Sequence, residues 1–376
     1  MSIRRVPAGS PRDERGGRLL GLADLAAGRY PGFLFGLPVG RQLPVFHFHE
    51  STVASIDPTL RYLAENGYRT VLSDALDRLV HDGVHPGPRR VLLCFDDALA
   101  SLWLVVAPLL RRYGFQAVTY AVPGRMRDAE TLRPTIDNGP VDAAAADSAE
   151  NPFATWPELI ALSNEGVIDV QSHSFTHAMI FVDRQVIDVV RPGYEREHFM
   201  NRPLVADAPA RFLTPERLGY PLFPCRSRFS DGRRFCHDAG AAERLEAHVA
   251  AHGGAAFFDR PDWQAQIRAL TETIDGRFES DEERQAAITE EWIAARDVLE
   301  ARLGRPVRHV CLPWGITGRH TREALQRLGV RTAFANRRAG RLAVAHGDDP
   351  FFLRRLESRH VRALPGRGRR AFRTLF

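Results

Sequence analysis

The chain contains no lysine; all 51 of its basic residues are arginine. That absence excludes a P-loop lysine and Schiff-base chemistry. It reads as a composition-wide bias, so the formal charge of +5 and the pI near 9.3 are not taken as a nucleic-acid affinity. Cysteine is scarce. Cys94, Cys225, Cys236 and Cys311 form no CxxC pair. This argues against a zinc ribbon, a redox motif and a disulfide framework, and points to a reducing compartment. Long apolar runs are lacking too. The most apolar stretch, Leu102–Leu110, is far too short to span a bilayer. The polar, basic N-terminus has no apolar h-region, so no secretory signal is expected and the chain is expected to be cytoplasmic.

What is present is ordinary globular material: 376 residues, 44% apolar and 26% charged. Residues 1–42 read as an irregular arm. From Pro44 to His49 the residues alternate as in a half-buried strand. Helical and strand patterns then take turns. Helices are expected over 58–66, 73–80, 99–113 and 155–164, and strands over 69–72, 91–95, 117–122 and 167–171. Residues 123–152 read as a long loop. A second stretch of the same order follows, with helices over 289–303 and 319–328 and strands over 307–312 and 331–335. Repeated βα order with apolar strands predicts a parallel sheet, either a barrel or a doubly wound layer. Residues 178–287 interrupt it and read as an inserted cap with a helix over 241–251. The end, 361–376, reads as a basic tail.

Three motifs sit at the C-terminal ends of apolar strands, where α/β proteins build active sites. The first is Cys94-Phe95-Asp96-Asp97-Ala98. Adjacent residues on an extended segment point in different directions, so one carboxylate can hold a cation while the other faces a reacting water; the pair could equally cap the next helix. The second is Ser172-His173-Ser174-Phe175-Thr176-His177. Histidines at i and i+4 can share a divalent ion, and imidazole favours Zn, Co, Ni or Fe over Mg or Ca. The third is His309-Val310-Cys311-Leu312-Pro313-Trp314-Gly315. Its Pro-Trp-Gly bend could aim the Trp314 amide into a site as an oxyanion donor, or could simply end a strand.

Together these motifs resemble those of the polysaccharide deacetylases of the NodB-homology, or carbohydrate esterase family 4, type. Asp96-Asp97, His173 with His177, and Pro313-Trp314-Gly315 match three of that family's motifs in order. The resemblance covers roughly 43–180 and 287–360. It implies a distorted (β/α) barrel, with the insertion between the second and third motifs. It also implies one divalent metal, zinc above all with Co or Ni as alternatives, on Asp97, His173 and His177. Asp96 would be the general base and the Trp314 amide the oxyanion donor.

Departures from the pattern are specific. Cys311 stands where the family often has an arginine that orients the base. No clear Leu-x-Leu-His motif supplies a general acid. His360 is the nearest late candidate and His49 another. The segment Asp349-Pro350-Phe351-Phe352-Leu353-Arg354-Arg355 resembles that of a subgroup lacking the last motif. The expected activity is removal of an N-acyl group from an amino sugar in a polysaccharide, an oligosaccharide or a lipid-linked glycan precursor, the last involving peripheral membrane contact. No nucleic-acid partner is expected. Alternatives are a deformylase or other amidohydrolase, and a glycan-binding homologue impaired in turnover.

Overall fold

A computed structural model describes residues 26–49, 51–147, 152–206, 211–272, 274–335 and 341–370. The chain divides into two units. One takes in the described residues up to Thr176, Glu290–Thr317 and those from Arg322 on; the other is His177–Thr289 with Gly318–Thr321.

The first unit is built on an eight-stranded sheet. Its strands are β1 (Val45–Phe48), β2 (Arg69–Thr70), β3 (Arg90–Asp97), β4 (Ala117–Ala121), β5 (Ile168–Ser172), β6 (His309–Cys311), β7 (Thr332–Phe334) and β8 (Leu356–Glu357). The order is β7-β6-β5-β4-β3-β1-β8, with β2 also paired to β3, and every pairing is parallel. From Val91 on, every residue of β3 is buried, as its apolar run requires. Residues 353–357 join the two edges of this sheet. Leu353 bridges Phe334 of β7, and Leu356 of β8 pairs with Phe46 of β1. This draws the sheet into a distorted barrel. Its core includes Leu92, Cys94, Val118, Tyr120, Cys311, Phe334 and Leu353.

Several elements differ from their sequence-based bounds. The helix after β1, labelled α1, runs Val53–Glu65. Thr52 starts it: its hydroxyl accepts the Ser55 amide at 3.3 Å, and the Ser55 hydroxyl accepts the Thr52 amide at 2.9 Å. Pro58 therefore lies inside the helix, at the cost of one backbone hydrogen bond. The helix expected at 289–303 begins at Asp281, where three acidic residues favour an N-terminus but give no apolar period. The expected loop over 123–152 contains a short helix, Ala143–Asp147.

At the chain's end, residues 361–370 pack rather than trail. The Tyr62 and Tyr68 hydroxyls donate to the Leu364 and Pro365 carbonyls at 2.7 and 2.9 Å. Arg369 donates to the carbonyls of Gly36 and Ala363, each at 2.9 Å, beside the buried Phe33 and Leu34. The rest of the expected tail, 371–376, and the arm's residues 1–25 lie outside the described residues.

The second unit is made differently. Among its described residues, four antiparallel two-stranded ribbons form. Met179–Phe181 pairs with Cys225–Ser227, and Asp188–Val189 with Pro221–Leu222. Leu204–Ala206 pairs with Arg211–Phe212, and Phe235–His237 with Gly276–Phe278. Two helices, Ala239–Ala251 and Trp263–Thr271, accompany them. Its core gathers Val189, Leu245, Val249, Phe257 and Ile267, while Phe223 packs on Phe181, Phe235 and His237.

Candidate metal and hydrolytic site

The alternation of β3 sets the site. Leu92 and Cys94 face the barrel core. With a period of two, Asp96 faces the same way. The backbone then leaves the extended region, with φ of 68° at Asp97 and 53° at Ala98. Asp97 thus turns away from its neighbour. The turn is held from outside: Ala98 accepts the Ala154 amide at 2.8 Å, and Asp147 caps the following helix by accepting the Ser101 amide at 2.8 Å.

The histidine loop leaves β5 in a similar way. Ser174 has φ of 69° and His177 φ of 55°. Glu291 secures the segment between them, its carboxylate accepting the Thr176 amide at 2.9 Å and its carbonyl the Phe175 amide at 3.1 Å. On the other side Arg125 donates to the Thr176 carbonyl at 2.8 Å. Gly124 is required here, because a Cβ would stand 2.6 Å from the Phe175 oxygen. In the third loop Trp314 has φ of 54°. Among the described residues six non-glycine residues have positive φ, and five of them lie in these three loops. Strain concentrated in this way marks a functional region.

These loops bring one donor atom each from Asp97, His173 and His177 within 4.8 Å of one another. His173 is buried, and its Nδ1 donates to the Cys311 carbonyl at 2.6 Å. That bond fixes the tautomer and directs Nε2 toward Asp97, whose Oδ1 is 3.6 Å away. Burial lowers the His173 pKa to about 4, against the pull of Asp96, so the ring is neutral at pH 7. Two imidazoles and a carboxylate, with a ring nitrogen held deprotonated, fit a zinc-class ion.

Asp96 is buried beside this triad and is gripped by Arg355, which sequence reasoning gave no role. The guanidinium donates to both Asp96 oxygens at 2.7 Å and to the Cys311 sulfur at 3.0 Å. It also lies over the rings of Phe334 and Tyr120, at 5.2 and 5.8 Å from their centroids. Burial alone would push the Asp96 pKa up. The Arg355 pair, helped by His173 and His49, holds it well below the usual carboxylate range. The signals were both visible, namely the missing arginine at 311 and the Arg354-Arg355 pair. Only closure of the sheet through 353–357 joins them.

His49, half-exposed, has Nε2 3.7 Å from Asp96 Oδ2. His360 is buried in the turn Ser358–Ala363; burial and Arg359 lower its pKa to about 4.

Residues 83–195 match the family model described as polysaccharide deacetylase. The match takes in both the Asp96-Asp97 motif and the His173–His177 motif. The matched segment is that of a hydrolase of carbon–nitrogen bonds. Among solved structures, the BpsB deacetylase domain of Bordetella bronchiseptica is 18% identical, with a TM-score of 0.50, over 85% of this chain and 96% of that one. This likeness shows the shared fold. The IcaB structure from Ammonifex degensii is 15% identical, with a TM-score of 0.47, over 84% of this chain and 92% of that one. Among curated protein sequences none matches. No described helix is long and apolar enough to cross a membrane.

Proposed function

We propose that this chain is a polysaccharide deacetylase that removes an N-acetyl group from an amino sugar of a polysaccharide, oligosaccharide or lipid-linked glycan, using Asp97, His173 and His177 to hold one zinc-class ion. The observation that carries the reading is the convergence of those three donors within 4.8 Å beside an Asp96 kept ionised by Arg355. An ion in that triad would acidify the attacking water and polarise the acyl carbonyl.

The chain's own groups supply the rest. Asp96 accepts the water proton as the water attacks. A carboxylate with so low a pKa is a weak base, so it acts only because Arg355 and burial fix it at the required place. Arg355 is therefore a positioning residue. The Trp314 amide, in its left-handed turn, stabilises the developing oxyanion. The proton for the leaving amine comes from His49, which stands within reach of Asp96. His360 is the poorer donor, since a ring with a pKa of about 4 is neutral at pH 7. Collapse yields acetate and a free amine.

An acetate-release assay across acetylated amino-sugar oligomers, with metal content measured alongside, tests this. Asp96→Asn should keep the metal and lose turnover, whereas His173→Ala should lose both. Unchanged acetate release by Asp96→Asn would remove the base assignment. Sugar binding by the wild type without acetate release under any added metal would instead mark a binding homologue.

A further inference from the structure

A second set of ligand-type groups stands beside the triad. His47 and His49 are two residues apart along the end of β1, so they share a face. Their rings meet edge-on with centroids 5.5 Å apart. One nitrogen from each and one oxygen of Asp96 all lie within 4.8 Å of one another. Asp96 is buried, His47 half-buried and His49 half-exposed, so the set opens outward from the base. Two imidazoles and one carboxylate form a zinc, nickel or copper donor set. None of the three belongs to the triad.

We propose that His47, His49 and Asp96 form a second, weaker and inhibitory site for a zinc-class divalent cation. The inhibitory part rests on the reading above that Asp96 is the base. The site is weaker because both Asp96 oxygens already accept from Arg355 at 2.7 Å. An incoming cation shares that carboxylate with a fixed guanidinium and is repelled by it. It is inhibitory because a cation on Asp96 occupies the oxygen that must take the water proton, and the same ion ties up His49. Turnover should therefore rise as the first metal equivalent binds and fall as the second does.

The test starts from protein carrying one equivalent of zinc. Equilibrium dialysis against rising Zn²⁺ is followed by metal analysis and by acetate release. The expected result is a second equivalent, bound at least tenfold more weakly, with acetate release falling in step. His47→Gln should lose that equivalent and its inhibition while keeping the turnover of the one-metal protein. If His47→Gln does not fold, His49→Gln tests the binding alone and must lose the same equivalent. A wild type that binds a single equivalent, or a second one indifferent to both substitutions, overturns the proposal. A His47-dependent equivalent with undiminished turnover overturns the inhibition and points to the base assignment, not to the site. Failure of the triad reading looks different again, because the first equivalent would then survive His173→Ala.

Discussion

Each unit of the protein buries an arginine–carboxylate pair, and the two pairs serve opposite ends. In the sheet unit Arg355 holds Asp96; in the other, Arg228 donates to both oxygens of Glu279 at 2.8 Å. Side-chain exposure is 12% and 3% in the first pair and 4% and 6% in the second, so burial does not tell them apart. Their company does. Glu279 also accepts the Arg234 amide, and its carbonyl accepts from Arg233, so the pair is saturated by its own unit. Asp96 faces two half-buried or exposed histidines, a neutral buried one and three strained loops. A buried ion pair is thus weak evidence for function. Unsaturated chemistry arranged around it is the stronger sign.

Cutting the acid from each pair gives the largest expected contrast. Asp96→Asn should lower acetate release by about 10²–10⁴-fold in protein that is still folded, whatever stability it loses by leaving Arg355 without its counter-charge. Glu279→Ala should leave the folded protein active but cost about 3–5 kcal/mol in a urea melt, because Arg228 is stranded. If both variants lost only stability, or both only activity, the distinction between the pairs would collapse.

Cutting the arginine comes next. Arg355→Met should reduce turnover at pH 7 by about 10–100-fold, and the loss should deepen as pH falls. The sign follows from linkage. In the wild type the Asp96 pKa is depressed, so its ionisation stabilises the fold above the unfolded carboxylate range, and this is lost progressively as pH falls from that range toward the lower folded value. Without Arg355 burial dominates, the Asp96 pKa rises, and an acid limb should enter the pH–rate profile. Arg355→Lys should restore part of the rate, lacking the two-pronged contact. A pH profile unmoved by Arg355→Met would refute the positioning role.

A double replacement sharpens the contrast further. Arg228→Met with Glu279→Leu should recover most of the stability lost by either single change, since a hydrophobic pair of similar volume can equal a buried ion pair. Arg355→Met with Asp96→Leu should recover no activity. Additive stability losses for the Arg228–Glu279 pair would show that the two groups do not act together.

The smallest expected effect concerns a buried group outside both pairs. His360 has its pKa lowered from 6.5 to about 4, so its neutral form contributes stability above pH 6.5 that is lost as pH falls toward 4. His360→Phe should flatten the fall in melting temperature over that window while acetate release persists. Loss of acetate release by this variant, with His49→Ala still active, would transfer the donor role to His360.

How much was readable in advance differs between the units for a related reason. Parallel strands buried on both faces must be largely apolar, so β3 and β4 announce themselves over five to eight residues. The ribbons of the second unit are two or three residues long, too short for any period. Its core is assembled from aromatic contacts such as Phe223 on Phe235, which leave no local pattern. The helix beginning at Asp281 was read as starting eight residues late, because its first turns are polar on every side.

Sequence alone determined the local things: apolar strands, the turn that follows each, and Asp96, Asp97, His173, His177 and Trp314 at those turns. These follow from short-range rules, in which alternation decides facing and a strand's end decides position. Tertiary structure decided what those residues meet. Asp96 and Arg355 are 259 positions apart, and they pair because 353–357 closes the sheet from Phe334 to Phe46. No local pattern encodes that register, yet it keeps the Asp96 carboxylate charged inside the barrel.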